Sequence, residues 1–268
     1  MTRLLTAGVI LLLFAAVACG QTYITSDITT SQAWGPSGSP YIIQADIEII
    51  NDSTLTIQSG LMGGVTVAFD GDYELRTGWG SAIIAQGNPT HRVTFTSNAG
   101  TPAPYDWEDV DVNGPGTSFF EYCIFEFAEY GLSLGSTSAP VSHCEMRDCG
   151  SVGLFISSST SIVQYCDIHD CRDGVMFSGP GNDPVINYCN ICDNSSWNLY
   201  VLSFPEPAAT IDAENNWWGT DVEAEIANKI RDSADNPEIY ATIDYDPWWM
   251  EQPVEETTWG RVKALFAR

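Results

Sequence analysis

The sequence predicts an all-β solenoid, a parallel β-helix, and three observations carry that reading. Four cysteines, Cys123, Cys144, Cys166 and Cys189, recur at spacings of 21, 22 and 23 residues. Each sits in a similar frame: FFEYCIFEFAEYGLSL, PVSHCEMRDCGSVGLFI, IVQYCDIHDCRDGVMF and VINYCNICDNSSWNLYV. Within the frames apolar residues alternate, with Phe120, Val141, Val163 and Ile186 three before the cysteine and Phe125, Met146, Ile168 and Ile191 two after it. A fixed period of this length marks stacked coils. Alternation of period two marks strands rather than the helical repeats.

The length of one repeat fits a β-coil. At roughly 3.3 Å per residue, about 22 residues supply two or three short strands and the bends between them. A second short run begins at Gly131, Gly153, Gly174 or Asn198, and glycine or asparagine there predicts a backbone at positive φ. The runner-up, a leucine-rich repeat, needs a leucine-and-asparagine framework that these frames lack.

The first element is an export signal. Residues 4–18 are apolar and uncharged after Thr2 and Arg3, and they end in the small residues Ala16, Val17 and Ala18. The stretch is short for a membrane span, so residues 1–18 are expected to be removed. Two processing routes fit: ordinary cleavage after an Ala-x-Ala site, or lipidation at Cys19 as in a bacterial lipobox, although Ala16 stands where leucine is usual. Export predicts a secreted, periplasmic or outer-surface location, where disulfides are allowed. The ladder cysteines nonetheless read mainly as buried thiols in one inward column, with Cys149 and Cys171 in another and room for one intercoil disulfide. Cys189 and Cys192 form the only close pair, and no second pair completes a zinc set.

Charge narrows the partners. Thirty-five acidic residues face ten basic ones, a formal charge of −25. Nucleic acid, whose phosphates demand neutralisation by lysine and arginine, is excluded. Polyanionic glycans are disfavoured on the same ground, whereas calcium and neutral glycans stay compatible.

The early coils follow: 55–57, 65–69, 82–84 and 93–95 are strand-like runs punctuated by glycine and asparagine. The stretches SDITTSQAWGPSGSPYIIQADIEI, STLTIQSG, GVTVAFDG and AIIAQGNPTHRVTFTSN, then the cysteine frames, DAENNWWGT and IDYDPWW, together resemble exported bacterial right-handed parallel β-helix proteins of the pectin lyase-like class. The resemblance runs from about residue 24 to 249 and departs at the insertion Leu61, Met62, Gly63. It implies a right-handed coil and an extracytoplasmic setting, and no particular reaction.

Late in the chain the period changes. Val222, Ile226 and Ile230 fall four apart, and Thr220 with Glu223 reads as a capping box, so a helix over 220–232 is expected to cap the last coil. Residues 22–249 thus form the β-helix domain and 250–258 a Pro/Glu/Thr-rich linker. Residues 259–268 form a basic amphipathic tail with Arg261, Lys263 and Arg268, suited to a membrane, a sorting machine or the acidic body itself. In Asn215, Asn216, Trp217 and Trp218 the expectation is structural, with asparagines serving turn backbone and a tryptophan packing on the terminal coil.

Candidate chemistry lies beside the cysteines. Tyr122, His143, Tyr165 and Tyr188 precede them, Glu145 and Asp167 follow, then come Glu126, Arg147 and His169, then Asp148, Asp170 and Asp193. If the cysteines point inward, these flanking residues face solvent as an aromatic stripe beside an acidic patch. Rings stack on sugar faces and carboxylates accept hydroxyl hydrogen bonds, which makes Tyr122, Tyr165, Tyr188, Glu145, Asp148 and Asp193 glycan-binding candidates, for a polysaccharide or a cell-surface glycan. Asp167, His169 and Asp170, with Arg147 one coil away, are the catalytic candidates: a near-neutral histidine between carboxylates as general base, or paired carboxylates for glycosidic hydrolysis. The Asp-Ile-His-Asp string resembles the Asp-Pro-His-Asp element of alginate epimerases, with Ile168 in place of the proline. The NTD, DD, GHG and RIK elements of polygalacturonases are absent. The leading expectation is a non-catalytic scaffold or carbohydrate-binding protein without a cofactor, calcium aside, and the alternative is a polysaccharide lyase, glycoside hydrolase or uronate epimerase.

Overall fold

The computed structural model describes residues 20–180, 183–203 and 209–250. Its strands form three parallel sheets of eight, eight and nine strands, called A, B and C below. The chain visits them in the order A, B, C and repeats, so each strand pairs with its counterparts one coil before and one coil after. This is a β-helix. Its register is the one the cysteine frames imply: Phe125, Met146, Ile168 and Ile191 align in sheet A, and Phe120, Val141, Val163 and Ile186 in sheet C.

Every inward position repeats its environment in the next coil, so like side chains stack. Phe95 and Phe125 lie parallel with centroids 4.8 Å apart, and Phe69 packs on Trp107 at 4.1 Å. Leu75, Val110, Leu132, Leu154, Val175 and Leu199 make the sheet-B column, all of them fully buried. Burial of such columns drives folding, at about 25 cal/mol per Å² of apolar surface.

The cysteines extend this order to polar groups. All seven described cysteines are buried free thiols, so the intercoil disulfide is absent among them. The amide of Cys123 donates to Cys144 Sγ and that of Cys166 to Cys189 Sγ, each at 3.4 Å. The thiols donate in turn to carbonyls two residues back, Cys144 to Ser142 and Cys189 to Asn187. Burial pushes the Cys144 and Cys189 thiols up, which keeps them protonated. Asn216 ends the column, accepting the Cys189 amide at 2.8 Å, and Asn194 ends the other, accepting the Cys171 amide at 3.1 Å. The asparagine of the Asn-Asn-Trp-Trp string is therefore a rung of the ladder. Trp218 is buried in the core, as expected.

Two expectations are corrected. Gly131, Gly153 and Gly174 are absent from the positive-φ positions, which in these coils include Tyr122, His143, Tyr165 and Tyr188 at the C-to-A corner, Phe127, Asp148, Asp170 and Asp193 at the A-to-B corner, and Ser136, Ser158 and Gly179 after the sheet-B strands. These left-handed residues are held by hydrogen bonds along the stack, such as Tyr122 N to Ser142 O (3.1 Å) and His143 N to Gln164 O (3.2 Å). The glycines are small for another reason: a Cβ on Gly131 would lie 2.6 Å from the Gly153 carbonyl oxygen, and one on Gly153 would lie 2.9 Å from that of Gly174. The helix is also shorter than the apolar spacing predicts. It spans Glu223–Ala227, its N-cap is Val222 without a side-chain cap, and Ile230 begins a sheet-B strand. Thr220 Oγ1 bonds the Val222 amide and Glu225 instead of closing a capping box, and Val222 is exposed. The helix is a single turn in the connection leading to that strand, near the C-terminal end of the stack, and its Ile226 is buried against the core. Among the described residues no helix is long and apolar enough to cross a membrane.

Candidate functional site

The outer face of sheet A collects most of the residues singled out by sequence. Glu145 pairs in register with Asp167, and Arg147 with His169, so alternation turns all four outward, one coil apart. Arg147 is the hub. Its Nη1 donates to Glu145 Oε1 at 2.6 Å, its Nε and Nη2 donate to Glu126 Oε2 at 3.0 and 2.5 Å, and Asp148 lies 3.9 Å away. Thr96 Oγ1 donates to the other Glu126 oxygen at 2.8 Å. Arg92 stands 3.9 Å from the second Glu145 oxygen. The result is a ladder of charge-assisted hydrogen bonds across neighbouring coils.

His169 joins this ladder. Its Nε2 is 3.6 Å from Glu145 Oε1 and its Nδ1 is 2.7 Å from Asp170 Oδ2. The Glu145 carboxylate beside it outweighs partial burial and raises the imidazole to about 9, while His169 and Arg147 hold Glu145 below the usual carboxylate range. The imidazole is thus drawn into the ladder as a hydrogen-bonded cation partner of Glu145. Asp167 stands outward in the Asp167–His169 strand, and Asp170 turns the corner with its side chain largely exposed.

The aromatic candidates form one pile at the C-to-A corner. Tyr122 stacks on His143 at 4.6 Å, His143 on Tyr165 at 5.2 Å, Tyr165 on Tyr188 at 5.5 Å, and Trp249 tilts against Tyr188 at 5.6 Å. Ring faces are therefore spent on neighbouring rings, and edges are left to solvent. Tyr165 is the most open, 52 % exposed. The acidic candidates part company with this stripe: Asp193 and Asp170 border a shallow depression of about 300 Å³ at the opposite, A-to-B corner. Among the described residues no group of three or more histidine, cysteine, aspartate or glutamate side chains is placed to hold a metal. The candidate lipidation site Cys19 and the expected tail within residues 251–268 lie outside the described residues.

Sequence reasoning missed a groove elsewhere on the stack. It opens on the outer face of sheet B, holds about 370 Å³, and is lined by Glu108, Asp109, Asp111, Tyr130, Ser133 and Phe155 among others. Asp109 is 9 % exposed. Its Oδ2 accepts from Ser133 Oγ at 2.7 Å, whereas Oδ1 is buried with no hydrogen-bond partner. Burial raises this carboxyl to about 7, and burial likewise raises Asp111 and Glu108. The available signal was the alternation Asp109, Asp111, Asn113 around Val110 and Val112, which turns three polar groups to one face.

The right handed beta helix region family matches residues 81–217 of the 268. The chain belongs to this family. In the β-helix so identified, the matched span contains every cysteine coil, the Arg147 ladder and the Asp109 groove, and it ends at Trp217 beside the last rung. No curated protein and no solved structure matches the chain.

Proposed function

We propose that this β-helix is a non-catalytic scaffold of an extracytoplasmic compartment, its outward polar columns serving to hold coils in register. One observation carries the reading: in the Glu126–Arg147–Glu145–His169 ladder each charge is matched by a neighbour, and the histidine is held as a cation. Such a ladder stabilises the stack by matching charges from coil to coil. The extracytoplasmic setting rests on the apolar leader at residues 4–18, and membrane attachment, through Cys19 or the tail, belongs to the same proposal.

Carbohydrate binding is a second reading, favoured by the exposure of Tyr165 in the middle of the aromatic pile. A glycan array with and without calcium, followed by product analysis on each hit, separates the readings. The scaffold predicts no hits. Binding that Tyr165→Ala abolishes without turnover would establish the glycan reading instead. Cleavage or epimerisation lost in His169→Ala would establish a lyase, hydrolase or epimerase. Mass spectrometry of the mature N-terminus is expected to find the leader removed, and a diacylated Cys19 would fix a lipoprotein.

A further inference from the structure

Along the outer face of sheet B one row of side chains runs from coil to coil. Its polar half reads Glu48, Arg76, Asp111, Ser133, and its apolar half continues Phe155, Met176, Tyr200 before reaching Arg231. Each half carries one of the protein's own guanidinium groups. Arg231 lies over the Tyr200 ring, 5.0 Å from its centroid. Arg76 is bonded to Glu74 at 2.6 Å and to Glu48 at 3.3 Å. Between them lies the Asp109 groove, and no lysine, arginine or histidine lines it.

We propose that this groove binds an organic cation, an alkylguanidinium or alkylammonium group, between the Asp109 carboxylate and the Phe155 ring. The buried Asp109 Oδ1 without a partner is the attachment point, because an N–H donor supplied from outside would satisfy it. Ser133, which holds the other carboxylate oxygen, pairs in register with Phe155, so the aromatic ring stands one strand spacing, roughly 4.8 Å, from the anchoring serine. A carboxylate beside an aromatic face is the pair of features that selects an organic cation over an anion or a bare metal ion. The Arg231–Tyr200 contact is the same recognition made within the chain two coils further on. Crowding of Glu108, Asp109 and Asp111, with Glu74 behind them, leaves the groove short of positive charge, and the nearest cation, Arg76, is already shared. The inference stands apart from the scaffold reading, since it uses none of the sheet-A residues.

The groups facing Asp109 are Glu74 from the preceding coil and Glu108 and Asp111 beside it in its own coil, with Arg76 against Asp111; on the far side stand Ser133, Phe155, Ser157 and the phenol of Tyr130. The bound cation therefore demands an ionised Asp109, and affinity should rise with pH as this carboxyl, raised by burial to about 7, ionises.

The test is titration of the full mature chain with agmatine, followed by the amide resonances of Ser133 and Phe155. A second arm uses the tripeptide Gly-Arg-Gly amide, which separates a polypeptide side chain from a free amine as the source. Saturable shifts are expected, tightening with pH and weakened about tenfold by Asp109→Asn, with a similar loss in Phe155→Ser and none in the sheet-A control Glu126→Gln. A melting curve for each variant confirms folding, and Phe155→Ser, a surface change, decides the matter if Asp109→Asn does not fold. The proposal is overturned if shifts fail to saturate by about 50 mM, if glucose competes equally, or if Phe155→Ser binds as the parent does.

Discussion

Replacing Asn216 tests the idea that sulfur and amide oxygen are interchangeable rungs of one column. Asn216 is fully buried. Its Oδ1 accepts the Cys189 amide at 2.8 Å, and its Nδ2 donates to the carbonyls of Ile186 at 2.6 Å and Ala213 at 2.7 Å. Asn216→Ala leaves one amide and two carbonyls without partners in a dry interior. At about 1–3 kcal/mol for each orphan, less local relaxation, the loss is about 3–5 kcal/mol. Asn216→Cys restores an acceptor of the kind Cys144 and Cys189 already provide, at 3.4 Å, and should lose only about 1–3 kcal/mol. Because a solenoid opens locally, the assay is native-state hydrogen exchange of the Cys189 amide, with the Cys123 amide three rungs away as internal control. Exchange at Cys189 should quicken on the order of 10² to 10³-fold in Asn216→Ala and far less in Asn216→Cys, while Cys123 stays slow. Unchanged exchange at Cys189 in Asn216→Ala, or a cysteine variant no better than alanine, would refute the reasoning.

Three further outcomes follow from the same geometry. Gly153→Ala places a Cβ 2.9 Å from the Gly174 carbonyl and 3.0 Å from Ile168 Cγ2, so the urea midpoint should fall by the equivalent of about 1–3 kcal/mol, and an unshifted midpoint would dismiss the close approach. His169, raised from 6.5 to about 9, contributes stability that is complete below its unfolded value and disappears as pH climbs through 9; with Asp170 largely exposed that contribution is about 1 kcal/mol. In Glu145→Gln the imidazole Cε1 proton should titrate at lower pH than in the parent, and a parent already titrating at 6.5 contradicts the ladder. An aromatic disulfide reagent should find none of the seven described thiols in the native protein and all of them in denaturant, consistent with Cys192 being pushed up to about 12; a pair still missing in denaturant means a disulfide.

The coil and its register were legible because a stack copies each inward position into the next turn. Cys123, Phe125 and Phe120 could be placed from spacing alone, and the outward Glu145, Arg147 and His169 followed by alternation. What spacing could not convey is distance across coils. Gly131 and Gly153 look like turn residues in one dimension, yet their size is set by a carbonyl one coil away. Tyr122 and His143 carry no compositional mark of a left-handed corner, because that conformation is held by amides bonded along the stack. Ile226 and Ile230 satisfy a helical period equally well as a helical turn followed by a strand. Asp109 escaped notice because its coil has no cysteine, and the segment around Trp107 interrupts the count before it.

The left-handed corners also decide where the chain can grow. From Phe120 to Cys123 and from Val141 to Cys144 the path around the C-to-A corner keeps one length, and it does so again from Ile186 to Cys189. The passage from sheet B to sheet C is elastic: Leu132 to Val141 matches Leu154 to Val163, but Val175 to Ile186 is longer. The A-to-B edge varies as well, carrying the segment around Trp107 between Phe95 and Val110, so both edges take up extra sequence while the columns stay in register; the B-to-C edge is the margin beside the groove. Ser136, Ser157 and Leu202, at that margin, also line the sheet-B groove. A loop grafted there would rebuild one wall of the groove while the stack beneath it stays in register.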